Sequence, residues 1–157
     1  MKSTKRVTFT ILSLLFALNI WAEGNDSIVR VLLENKKFRI DLLDVIQEAK
    51  SPVQIYSSYS IRVDNDKINA SFPYFYRNDK PTSQFKDEIV FQGSKIEQIE
   101  IKEKPKQKKF IVDMTLSKDK KTYTLNAEIH YDGYCEVKLT DNKKRTVMYD
   151  GRLKLKK

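Results

Sequence analysis

The sequence predicts a mostly-β domain, an antiparallel meander of about seven to eight strands that forms a barrel-like or sandwich arrangement, with a short N-terminal helix. Three observations predict it. Apolar and polar residues alternate over several segments after Tyr56, as in strands with one buried face. Short charged or turn-forming loops separate these segments. Three candidate hairpins also agree in register, turn residues and buried face, and this agreement favours a defined fold.

The start of the chain has the pattern of a secretory signal peptide. Basic residues precede an apolar run, Val7–Ile20, and the small residue Ala22 suits a cleavage site. The run is too short to span a bilayer comfortably. We therefore expect residues 1–22 to be a signal peptide and residues 23–157 to be a single β-rich domain that is periplasmic or secreted.

An uncleaved N-terminal anchor is the alternative, because Ile20 is larger than the residue usually found at its position in a cleavage site. No cysteine lies next to the predicted site, so attachment of a lipid to a new N-terminal cysteine is excluded. After cleavage, we expect no transmembrane segment in the mature domain.

A short helix should begin the mature domain. Asp26 or Ser27 can cap it through a side-chain oxygen. Ile28, Val31 and Leu32 then recur at helical spacing and would form its buried stripe. A helix of this length is marginal by itself, so it must dock on the rest of the domain.

Period-two alternation begins at Lys37 and returns through most of the chain. Residues 42–49 fit either a continued strand or a helix, which Pro52 would end in both cases. The apolar positions that should face the core are Phe38, Ile40, Leu42, Tyr59, Ile61, Val63, Ile68, Ala70, Phe72, Tyr74, Phe110, Val112, Met114, Leu116, Tyr123, Leu125, Ala127, Ile129, Cys135, Val137, Leu139, Val147, Tyr149, Leu153 and Leu155.

Hairpins can be placed because directly opposed residues of an antiparallel pair share a face. Val63 opposite Ile68 leaves Asn65–Asp66 as a two-residue turn, since Asn and Asp tolerate the left-handed conformation of a type I′ turn. The apolar parity on either side of Lys118–Lys121 predicts a four-residue loop there.

The third hairpin pairs Ile129 with Cys135 and leaves the loop Tyr131–Gly133. Gly133 then lies where a type I turn followed by a bulge requires positive φ. Gly151 falls on the inward face of the last strand, which indicates a bulge or a close approach by another group, such as a side chain of the N-terminal helix.

The residues that most often carry chemistry are few. Cys135 is the single cysteine, so no intramolecular disulfide can form, and we expect it to be a small buried hydrophobe. Alternation places His130, the single histidine, on the outward face, which argues against a Cys-His dyad. A zinc site needs several converging ligands, and one Cys and one His on opposite faces do not converge. We expect no metal and no cofactor.

A hydrolase that acts on a cell-wall or glycan substrate is the alternative function. Asp79 and Asp87 lie in a long loop, residues 77–87, and a glycosidase needs two carboxylates across a cleft. Nothing in the sequence sets the distance between these two carboxylates. An absence of enzymatic activity is therefore the first expectation.

Basic residues are in excess, with a net charge of +9. They concentrate at 102–109, 118–121, 143–145 and 154–157, which we expect to be solvated loops and a charged C-terminal strand. Contact of these Lys-rich loops with an anionic surface is the alternative. Export argues against nucleic acid as a partner.

The most unusual feature of the chain is an aromatic segment within residues 71–77, formed by Tyr74, Phe75, Tyr76 and Arg77. Three aromatic residues and an arginine at a strand end could stack on a sugar, a peptide or a partner protein. Pro73 lacks an N–H donor and so belongs on a strand edge or a bulge. In the alternative interpretation, Phe72 and Tyr74 belong to the core. The candidate ligand-binding residues are Tyr74, Phe75, Tyr76, Arg77 and Tyr149.

Several short motifs follow one another in a specific order. They are Tyr59–Val63, Phe72–Phe75, Ile89–Phe91, Asp132–Cys135 and Val147–Leu153. This succession resembles an exported bacterial envelope family, the domain of unknown function numbered four-two-five-one, over nearly the whole mature chain. Tyr76 departs from the family pattern, which has Gly there, and Cys135 replaces a small Ala. The resemblance implies an envelope location, a compact β domain and no assigned activity, and it carries over no catalytic residue.

These observations together predict an exported cell-envelope protein that acts as a non-catalytic binding or structural module. Its partner would be an envelope protein or a small ligand. A closed barrel could hold a small apolar ligand, as lipocalin-like barrels do. A packed interior would instead favour a partner bound at the surface.

Overall fold

The computed structural model describes residues 24–46, 52–55, 58–74 and 87–155, with only the backbone of Tyr74 and Asp87. Within these ranges, one helix precedes nine β-strands that pair in a single antiparallel sheet. A short 3-10 turn, Pro105–Gln107, connects the fifth and sixth strands. The elements are α1 (Asn25–Glu34), β1 (Lys37–Ile46), β2 (Val53–Gln54), β3 (Ser60–Asp64), β4 (Lys67–Tyr74), β5 (Asp87–Lys104), β6 (Lys109–Lys118), β7 (Lys121–His130), β8 (Tyr134–Asp141) and β9 (Thr146–Leu153).

Pairing of β1 with β9 closes eight strands into a barrel, and β2 is an additional strand. One edge of β1 pairs with β9, and the other edge pairs first with β3 and then with β2. The predicted meander is confirmed, and of the two predicted arrangements the barrel is the correct one. Closure pairs the first and last strands of the meander, which would otherwise be edges open to association.

The predicted inward positions form the core. From Phe38 to Leu153 they alternate with more exposed neighbours, and most are less than a tenth exposed. The strand β1 continues to Ile46, so the helical alternative for residues 42–46 is wrong, and residues 47–49 lie outside the described residues. The pairing of β1 with β9 shifts between Leu42 and Asp44, which leaves Leu43 on a bulge with 44% of its surface exposed.

The hairpin registers agree with the prediction, but the type I′ turn predicted at Asn65–Asp66 is wrong. Val63 pairs with Ile68, and Asn65 has a φ of 56°. Asp66 has no positive φ, so this turn is not type I′, which requires positive φ at both central residues. In the β7–β8 hairpin, Gly133 has a φ of 86°, as predicted.

The β6–β7 hairpin is tighter than predicted. Lys118 pairs with Lys121, so the four-residue loop is wrong and the turn consists of Asp119 and Lys120 alone. These two residues have φ values of 50° and 61°. Positive φ at both central residues is the signature of a type I′ turn, which matches the twist of the two flanking strands.

Gly151 allows the barrel to close. A Cβ at this position would lie 2.8 Å from the carbonyl oxygen of Asp41 and 3.0 Å from Cγ2 of Ile40. The close approach predicted at Gly151 is therefore confirmed, but it comes from the backbone of β1 and not from the N-terminal helix. Gly151 pairs with Leu42 at the β1–β9 seam, where the two strands need this space.

The predicted helix is confirmed as α1, but its cap and its buried stripe differ. Gly24 is the N-cap, and the hydroxyl of Ser27 donates a hydrogen bond back to the Gly24 carbonyl oxygen. Val29 and Leu33 are the buried residues, whereas Val31 is 53% exposed. Apolar residues lie on several sides of α1, so the barrel decides which side is buried.

The strand directions define two ends of the barrel. At the covered end, α1 lies with the β3–β4, β5–β6 and β7–β8 connections. At the aromatic end, β4 ends and β5 begins, and the β6–β7 and β8–β9 turns lie there. Within the described ranges, no helix has the length and the hydropathy that a bilayer crossing requires.

Candidate binding site at the aromatic end

Four buried rings form a layer across the interior at the aromatic end. The rings belong to Phe72, Phe91, Tyr123 and Tyr149, and none of these side chains is more than 7% exposed. The Phe72 and Phe91 rings lie 6.3 Å apart at 85°, and the Phe91 and Tyr123 rings lie 5.5 Å apart at 87°. Tyr149 completes the layer at 5.8 Å from Phe72. Edge-to-face contacts of this kind are the favoured geometry for aromatic pairs.

The layer arises because four strands, β4, β5, β7 and β9, each place one aromatic residue at an inward position near the same end of the barrel. The four residues are far apart in the sequence. Phe72 and Phe91 meet through the β4–β5 pairing, whereas Phe72 and Tyr149 meet because the sheet closes. Their combined burial makes this layer a large apolar contribution to the core.

A hydrogen bond connects the layer to the base of the aromatic segment. The Tyr149 hydroxyl donates to the carbonyl oxygen of Pro73 at 2.5 Å. Among the described residues, the ladder between β3 and β4 ends at Ala70, so from Ser71 onward no described strand pairs with this side of β4. Pro73 therefore lies at a local edge of the described sheet, as its missing donor predicts. The Tyr149 hydroxyl anchors the backbone there.

Comparison with known families now identifies the chain. Residues 22–153 match a family described as a domain of unknown function (DUF4251). The chain belongs to the DUF4251 family. The sequence resemblance is thus confirmed, and it extends further toward the N-terminus than the motifs indicated.

A solved structure has a similar fold. The DUF4251 domain is similar to the crystal structure of a DUF4251 family protein from Bacteroides eggerthii DSM 20697, with a TM-score of 0.67 and 11% sequence identity. The similarity covers 82% of this chain and 86% of that chain. At this identity, the likeness shows the fold alone. No curated protein matches the chain.

Two of the five predicted ligand-binding residues, Tyr74 and Tyr149, fall within the described residues of the DUF4251 domain. Tyr74 is the last residue of β4, and its backbone pairs with Asp87. Phe75, Tyr76 and Arg77 lie outside the described residues, as does Asp79 of the hydrolase alternative. Tyr149 is 1% exposed and lies beneath the base of the segment. Contact of these residues with a ligand stays a prediction.

Three residues of the layer, Phe72, Phe91 and Tyr123, are absent from the predicted site, and Phe72 was expected in the core by its alternation and in the alternative interpretation of the segment. Tyr123 was predicted to face inward, and Phe91 was recognised only as part of a family motif. Their alternation could place each of them on the correct face of its own strand. It could not show that the Phe91 ring contacts both Phe72 and Tyr123, because these contacts depend on how β4 pairs with β5 and how the sheet curls between β5 and β7.

Cys135 and His130 lie on opposite sides of the barrel wall, as predicted. The Cys135 thiol is buried and donates to the Gly133 carbonyl oxygen at 3.4 Å. Burial raises the pKa of this thiol to about 12, so it stays protonated at neutral pH. His130 is half-buried, with its ring centroid 5.6 Å from that of Tyr134. In the described ranges, no three His, Cys, Asp or Glu residues converge as metal ligands would.

The Lys-rich loops are divided between the two ends of the DUF4251 domain. Residues 104–109 and 154–155 lie at the covered end, whereas residues 118–121 and 143–145 lie at the aromatic end. These loops therefore do not form one continuous basic face. Contact of each loop with an anionic surface stays a prediction.

Proposed function

We propose that this DUF4251 protein is an exported, non-catalytic binding module of the cell envelope, which recognises its partner through the aromatic segment that follows β4. One observation carries this proposal. The ring layer and the Tyr149–Pro73 hydrogen bond form a rigid base directly where the segment leaves the barrel. A rigid scaffold that presents a loop is a common design for a binding site.

The same layer favours recognition at the rim over a ligand enclosed in the barrel. An eight-stranded barrel is only wide enough to be filled by side chains or to hold one small ligand. Here Phe72, Phe91 and Tyr149 are among the largest fully buried side chains of the described residues. A lipocalin-like cargo would have to displace these rings, and that displacement would expose apolar surface.

Two further observations support export and the absence of catalysis. The family match begins at residue 22, next to the predicted cleavage after Ala22. The raised pKa of Cys135 and its burial make it a poor nucleophile. The periplasmic or secreted location, without a lipid anchor, follows from this signal and is part of the proposal.

Native mass spectrometry of the protein purified from its own host tests the proposal. We expect a chain that begins near Glu23 and a bound partner that is lost in the double variant Phe75→Ala, Tyr76→Ala. Met148→Ala is the matched control, because Met148 is 38% exposed on the outer wall of β9 and is not part of the segment. A chain that retains residues 1–22 would contradict export.

The binding part of the proposal fails separately. Retention of the partner by the double variant, or its loss from the Met148→Ala control to the same extent, would contradict recognition by the aromatic segment. A bound small molecule that is independent of both variants would favour an enclosed ligand. Turnover of a glycan that disappears in Asp79→Asn or Asp87→Asn would replace the proposal with the hydrolase alternative.

A further inference from the structure

A groove lies on the outer wall at the covered end, between α1 and the first strands of the barrel. It has a volume of about 370 Å³ and is open to solvent. The half-buried Leu32 is an apolar residue at its surface, whereas Phe38 and Val63 border it from the core. Its charged lining comprises Lys37, Arg39, Arg62, Lys154 and Asp64, so four cations face a single carboxylate.

The strand register brings three of these cations into one row across the wall. Arg39 of β1 is directly opposite Arg62 of β3. The backbone N–H of Lys154 donates to the Arg39 carbonyl oxygen at 2.8 Å, which places Lys154 on the other side of Arg39. Like charges in directly opposed positions of a sheet destabilise the pairing. The ion pair between Arg39 and Asp41 offsets part of this repulsion, and an anionic ligand would compensate for the rest.

Most of the donors in this row are available. Arg39 uses its Nε to donate to Asp41 at 2.5 Å, which leaves its two terminal nitrogens. In the described part of the chain, neither Arg62 nor Lys154 has a carboxylate within ion-pair distance. Asp64, the single acid of the groove, is 3.6 Å from Lys37 and also accepts a hydrogen bond from Asn65.

We propose that this groove binds the phosphate group of a small phosphorylated ligand. Guanidinium groups present paired donors that match the oxygens of phosphate, and the lysine adds a compact positive charge. Two arginines and a lysine balance a dianion better than the single charge of a carboxylate. The volume lies within the range of small-molecule sites, and the half-buried Leu32 can contact the rest of the ligand.

This site lies at the covered end and is independent of the aromatic segment at the other end of the barrel. The two proposals can therefore fail separately. The double variant at Phe75 and Tyr76 should leave phosphate binding unchanged, and the variants of the groove should leave the envelope partner bound.

Titration of the purified protein with glucose 6-phosphate, followed by amide NMR shifts, tests the inference. We expect shifts at residues 37–39, 62–64 and 154, and none with glucose. Arg62→Gln should weaken binding by roughly ten- to a hundredfold, because it removes a charge-assisted contact. Lys138→Gln is the matched control, since it removes the same charge from an exposed position on β8. Thermal unfolding checks that both variants fold.

Four outcomes decide the inference. Absence of binding would overturn it. It would also be overturned if Lys138→Gln weakened phosphate binding as much as Arg62→Gln, because the binding would then depend on the net charge of the protein and not on the groove. Equal affinity for glucuronate would overturn the assignment to phosphate. Binding to phosphatidic acid vesicles, which carry a phosphomonoester, and not to glucose 6-phosphate, again lost in Arg62→Gln, would support the phosphate site and identify a lipid headgroup as its source.

Discussion

The two ends of the barrel are closed in different ways. The covered end is closed by a separate segment, the helix α1, which buries Val29 and Leu33. Arg30 of this helix binds Glu103 through two hydrogen bonds. Tyr131 donates a third hydrogen bond to Glu103 at 2.5 Å. At the aromatic end, the closing side chains belong to the barrel strands themselves.

This difference predicts different responses to damage. A ten-residue helix is marginal in isolation, so α1 depends on its contacts with the barrel and can undock locally. The ring layer has no such freedom, because each ring is part of a strand that the barrel needs. Damage at the covered end should therefore stay local, and damage at the aromatic end should affect the whole domain.

The largest effect is expected at the centre of the ring layer. Phe72 is fully buried, so Phe72→Ala should lower the free energy of unfolding by about 3–5 kcal/mol. Urea denaturation followed by fluorescence and by circular dichroism measures this value. If Phe72→Ala lost amide protection only at the end of β4, damage at the aromatic end would be local, and the predicted difference between the two ends would be wrong.

A smaller and local effect is expected at the covered end. Leu33→Ala should weaken the docking of α1 by about 2–5 kcal/mol, because Leu33 is fully buried. Hydrogen exchange should show lost protection in α1 and retained protection in β7. Val31→Ala, at a 53% exposed position of the same helix, is the control and should change stability by less than about 0.5 kcal/mol. Equal loss of protection in α1 and β7 would mean that the helix is not a separate unit.

Two tyrosine hydroxyls allow a matched comparison. Tyr149→Phe removes the donor to the Pro73 carbonyl oxygen and should lower the global free energy of unfolding by about 1 kcal/mol. Tyr131→Phe removes the donor to Glu103 and should reduce protection in α1 alone. Hydrogen exchange on both variants distinguishes the two effects. Loss of amide protection throughout the domain in Tyr131→Phe would contradict the claim that damage at the covered end stays local.

The smallest effect should appear as a pH dependence of the covered end. The hydrogen bond from Arg30, followed by that from Tyr131, lowers the pKa of Glu103 below its ordinary value of 4.5. A carboxyl group with a lowered pKa in the folded state contributes stability above its unfolded pKa, and this contribution disappears as the pH falls through the folded pKa. Protection in α1 should therefore decrease below about pH 4.5.

Glu103→Gln tests this pH dependence. The variant should remove the pH-dependent part of the α1 protection, because glutamine does not titrate. Glu128→Gln is the control, since Glu128 forms an ion pair with Lys109 on the outer wall and does not contact α1. An unchanged pH profile in Glu103→Gln would assign the dependence to another carboxyl group.

Much of the fold could be predicted because strand pairing between neighbours is local. The faces of β3, β4 and β6–β9 follow from alternation, and the registers of three hairpins follow from parity. The turns were less accurate, since Asp119 and Lys120 adopt the type I′ geometry that was expected at Asn65–Asp66. Turn geometry depends on how strand twist continues through the hairpin, and parity alone does not report it.

The candidate sites could be predicted only in part. The aromatic segment is visible in the sequence, because its residues are adjacent. The row of Arg39, Arg62 and Lys154 is not, since its members approach through the β1–β3 and β1–β9 pairings. The buried face of α1 could not be predicted either, because a rotation of the helix about its axis decides whether Val31 or Leu33 faces the barrel.

The sequence by itself therefore determined the family, the meander and the inward face of most strands, because these depend on patterns within a strand or between neighbouring strands. Only the tertiary structure decided that β1 closes on β9, that four rings meet beneath Pro73 and that Arg30 reaches Glu103. Each of these contacts joins residues far apart in the chain. Their geometry depends on how the whole sheet twists and closes, and no local pattern carries that information.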